Sequence, residues 1–189
     1  MTIQKRLALL LLYSTNCFPI EPPDGWRFPT RNELSEKSLR NSSPTKYTNV
    51  VGDLNNDDRT DQAFLFKSTE FKGEGLPVYL SSPSGYVWKV LNKTNCEKEY
   101  PSVKLAMGID SAEPGMYKTA CGKGHWECGP NESETLILEA PGIWHFTFES
   151  AESIWYWDKN SDEFRQIFIS DEPVTTNRPA RPLGNCYVY

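Results

Sequence analysis

Residues 47–67 read YTNVVGDLNNDDRTDQAFLFK: an apolar run, ten positions dominated by acids and amides, and a second apolar run. From Tyr47 onward apolar side chains recur with period two, the spacing of a strand whose alternate residues face a core. The stretch is therefore strand, loop, strand. The same texture covers most of the chain that follows, and it sets the fold class.

Within the loop, Asp53, Asn55, Asp57 and Asp61 recur as D-x-N-x-D-x-x-x-D. A hard cation needs six or more oxygens, and side chains at places one, three, five and nine of a coiled loop converge on one point, with a carbonyl at place seven, here Arg59. The expected ligand is Ca2+, held by Asp53, Asn55, Asp57, the Arg59 carbonyl and Asp61. Val50 to Asp57 resembles the opening of an FG-GAP-type repeat, and the loop spacing is similar to that of EF-hands and dockerins. Two positions depart from the pattern. Place six, usually Gly in a left-handed turn, is Asp58, and place twelve is Phe64 where an EF-hand has a bidentate Glu. The second departure implies a clip between two strands. Asp158, Asn160 and Asp162 repeat the first three places, but place nine is Gln166, so this copy reads as a hairpin turn.

Further along, Pro77–Ser81 and Tyr86–Leu91 flank the turn Ser82-Pro83-Ser84-Gly85, with Tyr86, Trp88 and Val90 on one face. Val103, Leu105, Met107 and Ile109 alternate as one strand, and Met116–Ala120 returns after Glu113-Pro114-Gly115. Thr135–Glu139, Ile143–Glu149, Ile154–Trp157 and Phe164–Ser170 complete the series. Thr30 and Glu33 form a capping box ahead of Leu34 and Leu39, which predicts a short helix over 31–40. The expected fold is mainly β, an antiparallel sandwich or partly closed barrel of about eight to ten strands with one short N-terminal helix. It occupies residues 30–171, between a Pro-rich linker at 18–29 and a Pro-rich tail at 172–189.

Residues 1–17 read as an export signal: Lys5 and Arg6, an apolar run from Leu7 to Tyr13, then Ser14, Thr15 and Asn16 before Cys17. The run is too short to span a bilayer. A lipid anchor at Cys17 is the one expected route to a membrane, and Ser14-Thr15-Asn16-Cys17 is a poor match to a lipobox. The compartment read from the sequence is periplasmic or secreted. Cysteine usage agrees, since four cysteines remain after Cys17. Cys121 and Cys128 bracket a short loop and are expected to bridge, which leaves Cys96 for Cys186. Zinc on Cys121, His125 and Cys128 is the rival reading.

The net charge of −5 gives no concentrated basic patch for nucleic acid. No GxGxxG, P-loop, GxSxG or HExxH is present, and an enzyme is not expected. His145, between Trp144 and Phe146, is expected on the polar face of its strand with Thr147 and Glu149. The candidate partner-binding elements are the loop Gly122, Lys123, Gly124, His125, Trp126 and Glu127, and the pair Trp155 and Trp157, which share a face opposite Ile154 and Tyr156. This set of features is similar in kind to periplasmic lysozyme inhibitors and to immunity proteins against wall-degrading toxins. That resemblance implies a protein-binding module facing a lytic enzyme, with Gly122–Glu127 as the inserting loop. A calcium-stabilised carbohydrate-binding module using Trp155 and Trp157 is the alternative, and an envelope hydrolase the third reading.

Overall fold

The structure is a computed structural model that describes residues 20–34, 46–96, 105, 107–130, 132–147, 152–169 and 186–188. The expected export segment and most of the expected helix lie outside these residues. What is described of 31–40, Arg31 to Leu34, is a turn. The capping box ahead of it has formed: the Thr30 amide donates to Glu33 Oε2 at 2.8 Å, and the Thr30 hydroxyl donates to the same oxygen.

Among the described residues the regular structure is all strand. In chain order the strands are β1 (Trp26–Arg27), β2 (Asn49–Gly52), β3 (Asp61–Phe64), β4 (Phe66–Ser68), β5 (Gly73–Ser82), β6 (Gly85–Cys96) and β7 (Met107–Ala112). They continue as β8 (Gly115–Lys118), β9 (Thr135–Leu138), β10 (Gly142–Thr147), β11 (Glu152–Asp158), β12 (Glu163–Phe168) and β13 (Cys186–Val188). All pairings are antiparallel, and none closes a barrel. The fold is a mainly β sandwich. Two strands were not visible as periodicity: β1 lies inside the Pro-rich linker and β13 inside the tail.

β5 is the hub of a seven-stranded sheet. One edge carries β3 and β4, and the other carries β6 with β13 beyond it. Ala63 lies opposite Val78 and Phe66 opposite Gly75, so β3 and β4 keep one register and form a single strand interrupted at Leu65. The Leu65 amide turns the other way, donating to Thr48 O at 2.9 Å. Alternation then sends Ala63, Leu65, Leu76 and Val78 inward, with Val50 and Leu54. They meet Met107, Ile109, Ile143 and Phe164 of a second sheet ordered β12-β11-β10-β7, together with Leu105, which lies ahead of β7 and outside the sheet. Each fully buried aliphatic side chain here stabilises the fold by about 1.5–3 kcal/mol.

The second sheet is covered on both faces. β8 and β9 form a ribbon whose Leu136 and Leu138 pack on Ala112, Ile154 and Ile169, with Tyr117, Trp144, Tyr156 and Ile167 around them. The first core decides the fate of Trp155 and Trp157. Trp155 and Trp157 do share the face opposite Ile154 and Tyr156, but they pack against the first core, so no exposed indole pair forms. His145 also departs from expectation. It is buried at 4% exposure, not placed on a polar face, because the first sheet covers the side of β10 that its alternation selects.

The outer face of the first sheet is aromatic. Phe64 stacks on Phe66, and Phe28 meets both edge-on. The linker crosses them, with Tyr79 donating its hydroxyl proton to Glu21 O at 3.0 Å. Gly75 makes room for Trp26, whose ring atoms would lie 2.3 Å from a Cβ at that position.

Candidate functional site

The acidic loop joins β2 to β3. Its coil comes from two left-handed residues, Asn56 at φ +59° and Asp58 at φ +64°, a conformation that Asn and Asp tolerate better than other side chains. Place six of the pattern therefore has the backbone that glycine usually supplies. The Asp53 carboxylate closes the coil by accepting the amides of Asp57 and Asp58, both at 2.9 Å. Asp57 accepts the Arg59 amide at 3.0 Å and pairs with the Arg59 guanidinium at 2.7 Å.

Asp61 is turned inward and is fully buried. Its oxygens accept the Leu54 amide at 2.9 Å and the Ser81 amide at 2.8 Å, tying the loop to the end of β5. Burial pushes its pKa up, the two amides oppose the shift, and the charges of Asp57 and Asp53 add to it. Asn55 Nδ2 donates to Asp57 at 3.2 Å, while Asn55 Oδ1 is buried with no partner. An orphaned buried carbonyl oxygen costs about 1–3 kcal/mol. The loop thus presents one unsatisfied amide oxygen and two carboxylates, and commits the fourth side chain to bracing. Among the described residues no group of three or more His, Cys, Asp or Glu is arranged to hold a metal.

The second acidic turn, between β11 and β12, is a hairpin turn as its spacing implied. Asp158 accepts the Asn160 amide at 3.0 Å, the Ser161 hydroxyl and the Arg165 guanidinium. The Asn160 bond is the leading cause holding this carboxyl below the usual range.

The loop after β8 is closed by a disulfide, Cys121–Cys128, with Cα atoms 5.0 Å apart. Bridged sulfurs are not thiolates, so the zinc reading does not survive. The loop lies tight on the segment before β9: a Cβ at Gly122 would meet Glu134 O at 2.0 Å. Lys123 Nζ donates to Ile169 O at 3.0 Å, and Gly124 turns at φ +83°. His125 Nε2 is buried with no partner, whereas Trp126 stands outward at 37% exposure. Its indole N–H reaches Glu132 at 3.3 Å, and its ring lies edge-on to Phe168, which is 46% exposed. Glu127 is exposed beside it. Phe168 joins this patch because β12 ends beside the loop, where Ala120 donates to Phe168 O at 2.8 Å. Sequence spacing gave no hint of that long-range contact.

β13 brings Cys186 into register opposite Cys96 on β6. Directly opposed antiparallel residues have Cα atoms about 4.5–5.5 Å apart, within the range a disulfide spans.

A groove of about 550 Å3 opens between β9 and the β11–β12 hairpin. Leu138, Tyr156 and Ile167 line it from the second core, with Trp157 to Asn160 along one wall and Asn56 of the acidic loop at one end. Lys159 bridges to Glu139 at 2.8 Å beside it. Trp157 therefore reaches a concave surface, while Trp155 Nε1 is buried without a partner.

Comparison with known proteins found no matching family, no similar curated protein and no similar solved structure.

Proposed function

We propose that this chain is an exported protein-binding module that presents its disulfide-pinned loop to an enzyme acting on the cell wall, as an inhibitor or immunity protein. The observation that carries this reading is Trp126, exposed together with Phe168 on a loop that a disulfide and close packing hold still. Aromatic anchors dominate the energy of protein interfaces, and a loop already rigid loses little freedom on binding. The disulfide supports an oxidising compartment. A second bridge, Cys96–Cys186, fits the register of β13 on β6, and non-reduced peptide mapping would detect it as one linked mass.

Ca2+ is the proposed ligand of the acidic loop, through Asp53, Asn55, Asp57 and the Arg59 carbonyl. Asp61 would contribute only the lone pairs its two amides leave free. The orphaned Asn55 Oδ1 and the left-handed residues at places four and six support the ion. Its part is to brace the sheet.

The test is capture from an envelope extract on the immobilised protein, followed by the lytic rate of what is captured. Trp126→Ala is expected to weaken capture by roughly thirtyfold, the scale of an aromatic hot spot. Recovery of no lytic enzyme, or equal capture by the variant, would overturn the reading. The carbohydrate alternative is favoured by one observation, Trp157 and Tyr156 in the groove. Retention on insoluble glycan that Trp157→Ala abolishes would establish it instead.

A further inference from the structure

The third layer ends in an open strand edge. β9 bonds to β8 along one side, and among the described residues no strand lies against the other. Which backbone groups face outward follows from the ladder. Thr119 donates to Glu134 O at 3.0 Å, and this pair continues the register that sets Lys118 opposite Thr135 and Met116 opposite Ile137. Bonded and non-bonded pairs alternate in an antiparallel ladder. Leu136 and Leu138 therefore bond toward β8, while Thr135 and Ile137 aim N–H and C=O away from it.

Thr135 agrees with this assignment, since the Ser133 hydroxyl accepts from its amide at 3.3 Å and donates to its carbonyl at 2.8 Å. Among the described residues none meets the corresponding groups of Ile137. The groove runs along the same edge, and its volume is in the range of ligand clefts. Its acids are already neutralised, Glu139 by Lys159 and Asp158 by Arg165 at 2.7 Å. An ionic ligand would find no unpaired charge there. What the edge offers is one outward N–H and C=O beside an apolar floor of Leu138, Tyr156 and Ile167.

That combination recognises a peptide backbone. We infer that a partner protein adds an extended segment as a strand along the free edge of β9, exchanging main-chain hydrogen bonds with Ile137 and seating an apolar side chain in the groove. The inference rests on the protein-binding reading and specifies the form of the contact. The two surfaces adjoin: Trp126 bonds to Glu132, and the Thr119 hydroxyl donates to Ser133 O at 2.7 Å, just ahead of β9.

The test begins with a displayed library of random twelve-residue peptides selected on the full wild-type chain, the tightest then made as soluble labelled probes. Ile137→Pro deletes the outward N–H and no ladder bond, a position where an edge strand accepts proline; Ile137→Val keeps it. The probes are expected to bind Ile137→Val within about twofold of wild type and Ile137→Pro at least about tenfold more weakly, the scale of one lost hydrogen bond and its orphaned partner. If Ile137→Pro does not fold, hydrogen exchange of the Ile137 amide reads the same bond in wild type, and the probes should slow it by at least about tenfold. Equal binding to Ile137→Pro, an unprotected Ile137 amide, or selective binding of N-acetylglucosamine oligomers in place of peptides would overturn the inference. Capture lost in Trp126→Ala but intact in Ile137→Pro leaves the protein-binding reading standing without the edge. Peptides that bind through Ile137 when no lytic enzyme is captured leave the edge standing without that reading.

Discussion

The chain carries D-x-N-x-D twice, at Asp53 and at Asp158, and folds the two copies differently. At Asp158 the carboxylate collects Asn160, Ser161 and Arg165 into a short exposed turn. At Asp53 the carboxylate instead draws in amides four and five residues ahead, through two left-handed residues, leaving Asn55 Oδ1 inside the coil. The first three places are the same. Place nine differs: Asp61 begins β3 facing the interior and anchors to Leu54 and Ser81, whereas Gln166 sits within β12 and donates to the Ser153 hydroxyl at 2.9 Å. A local pattern supplies the turn, and the residue that reaches the core determines whether the turn becomes part of the scaffold.

The two acidic turns should differ most at Asp61. Asp61→Ala leaves two buried amides unbonded and should cost roughly 3–5 kcal/mol. Asp158→Ala only hands its donors to water and should cost far less than Asp61→Ala. Urea unfolding of both variants measures the difference, and equal costs would mean that Asp61 is not an anchor.

How far these outcomes could be read from the sequence depends on what each required. Alternation around Ala63 and Val78, and around Ile143 and Ile154, was enough to give strands, but not which face of each turns inward. The local loop Cys121–Cys128 was enough to give its bridge. β1 and β13 are two and three residues long, too short to show a period, and only pairing with β4 and β6 makes them strands. His145 shows the other limit. Alternation placed it opposite Trp144 and Phe146, but burial depends on which layer covers that side, and the covering sheet is distant in sequence. For the same reason Trp155 was legible as a facing residue and not as a core one.

Burial of His145 adds a pH constraint on any test of the two loops. Desolvation pushes its pKa down to about 4 from an ordinary 6.5. Between those values the unfolded chain holds a proton that the folded chain does not, so stability falls as pH drops through the window. The full loss is about 3 kcal/mol, from the linkage of that shift to folding. His145→Leu should flatten the pH dependence of the urea midpoint between about 6.5 and 4 whatever its effect at neutral pH. An unchanged slope would place the acid sensitivity elsewhere, and until then the loops are best compared above that window.

Calcium should separate the two acidic turns by a smaller margin. Mass action at a hundredfold excess over Kd adds about 2.7 kcal/mol, which for a domain of this size raises Tm by roughly 5–10 °C. Asp57→Ala should abolish the rise and Asp162→Ala should leave it intact. A melt unchanged between chelator and millimolar calcium would rule out the ion and leave Asp57 served by Arg59.

The smallest effect separates backbone strain from charge. Asp58 and Asp162 both stand at positive φ, +64° and +56°, and their amides, which bond to Asp53 and to Asp158 O, survive substitution by glycine. Glycine relieves the left-handed cost at either site and gives back part of it as unfolded-chain entropy, a net gain of up to about 1 kcal/mol. Asp58→Gly additionally removes a negative charge close to Asp53 and Asp57, which Asp162→Gly does not. In chelator and low salt Asp58→Gly should therefore be the more stabilising of the two, and salt should shrink the excess by screening. Calcium should shrink it further, since a bound cation reverses the value of a nearby carboxylate. If the excess persists unchanged in calcium, the extra stability comes from the backbone alone, and the acidic coil is a tight turn built on Asp61.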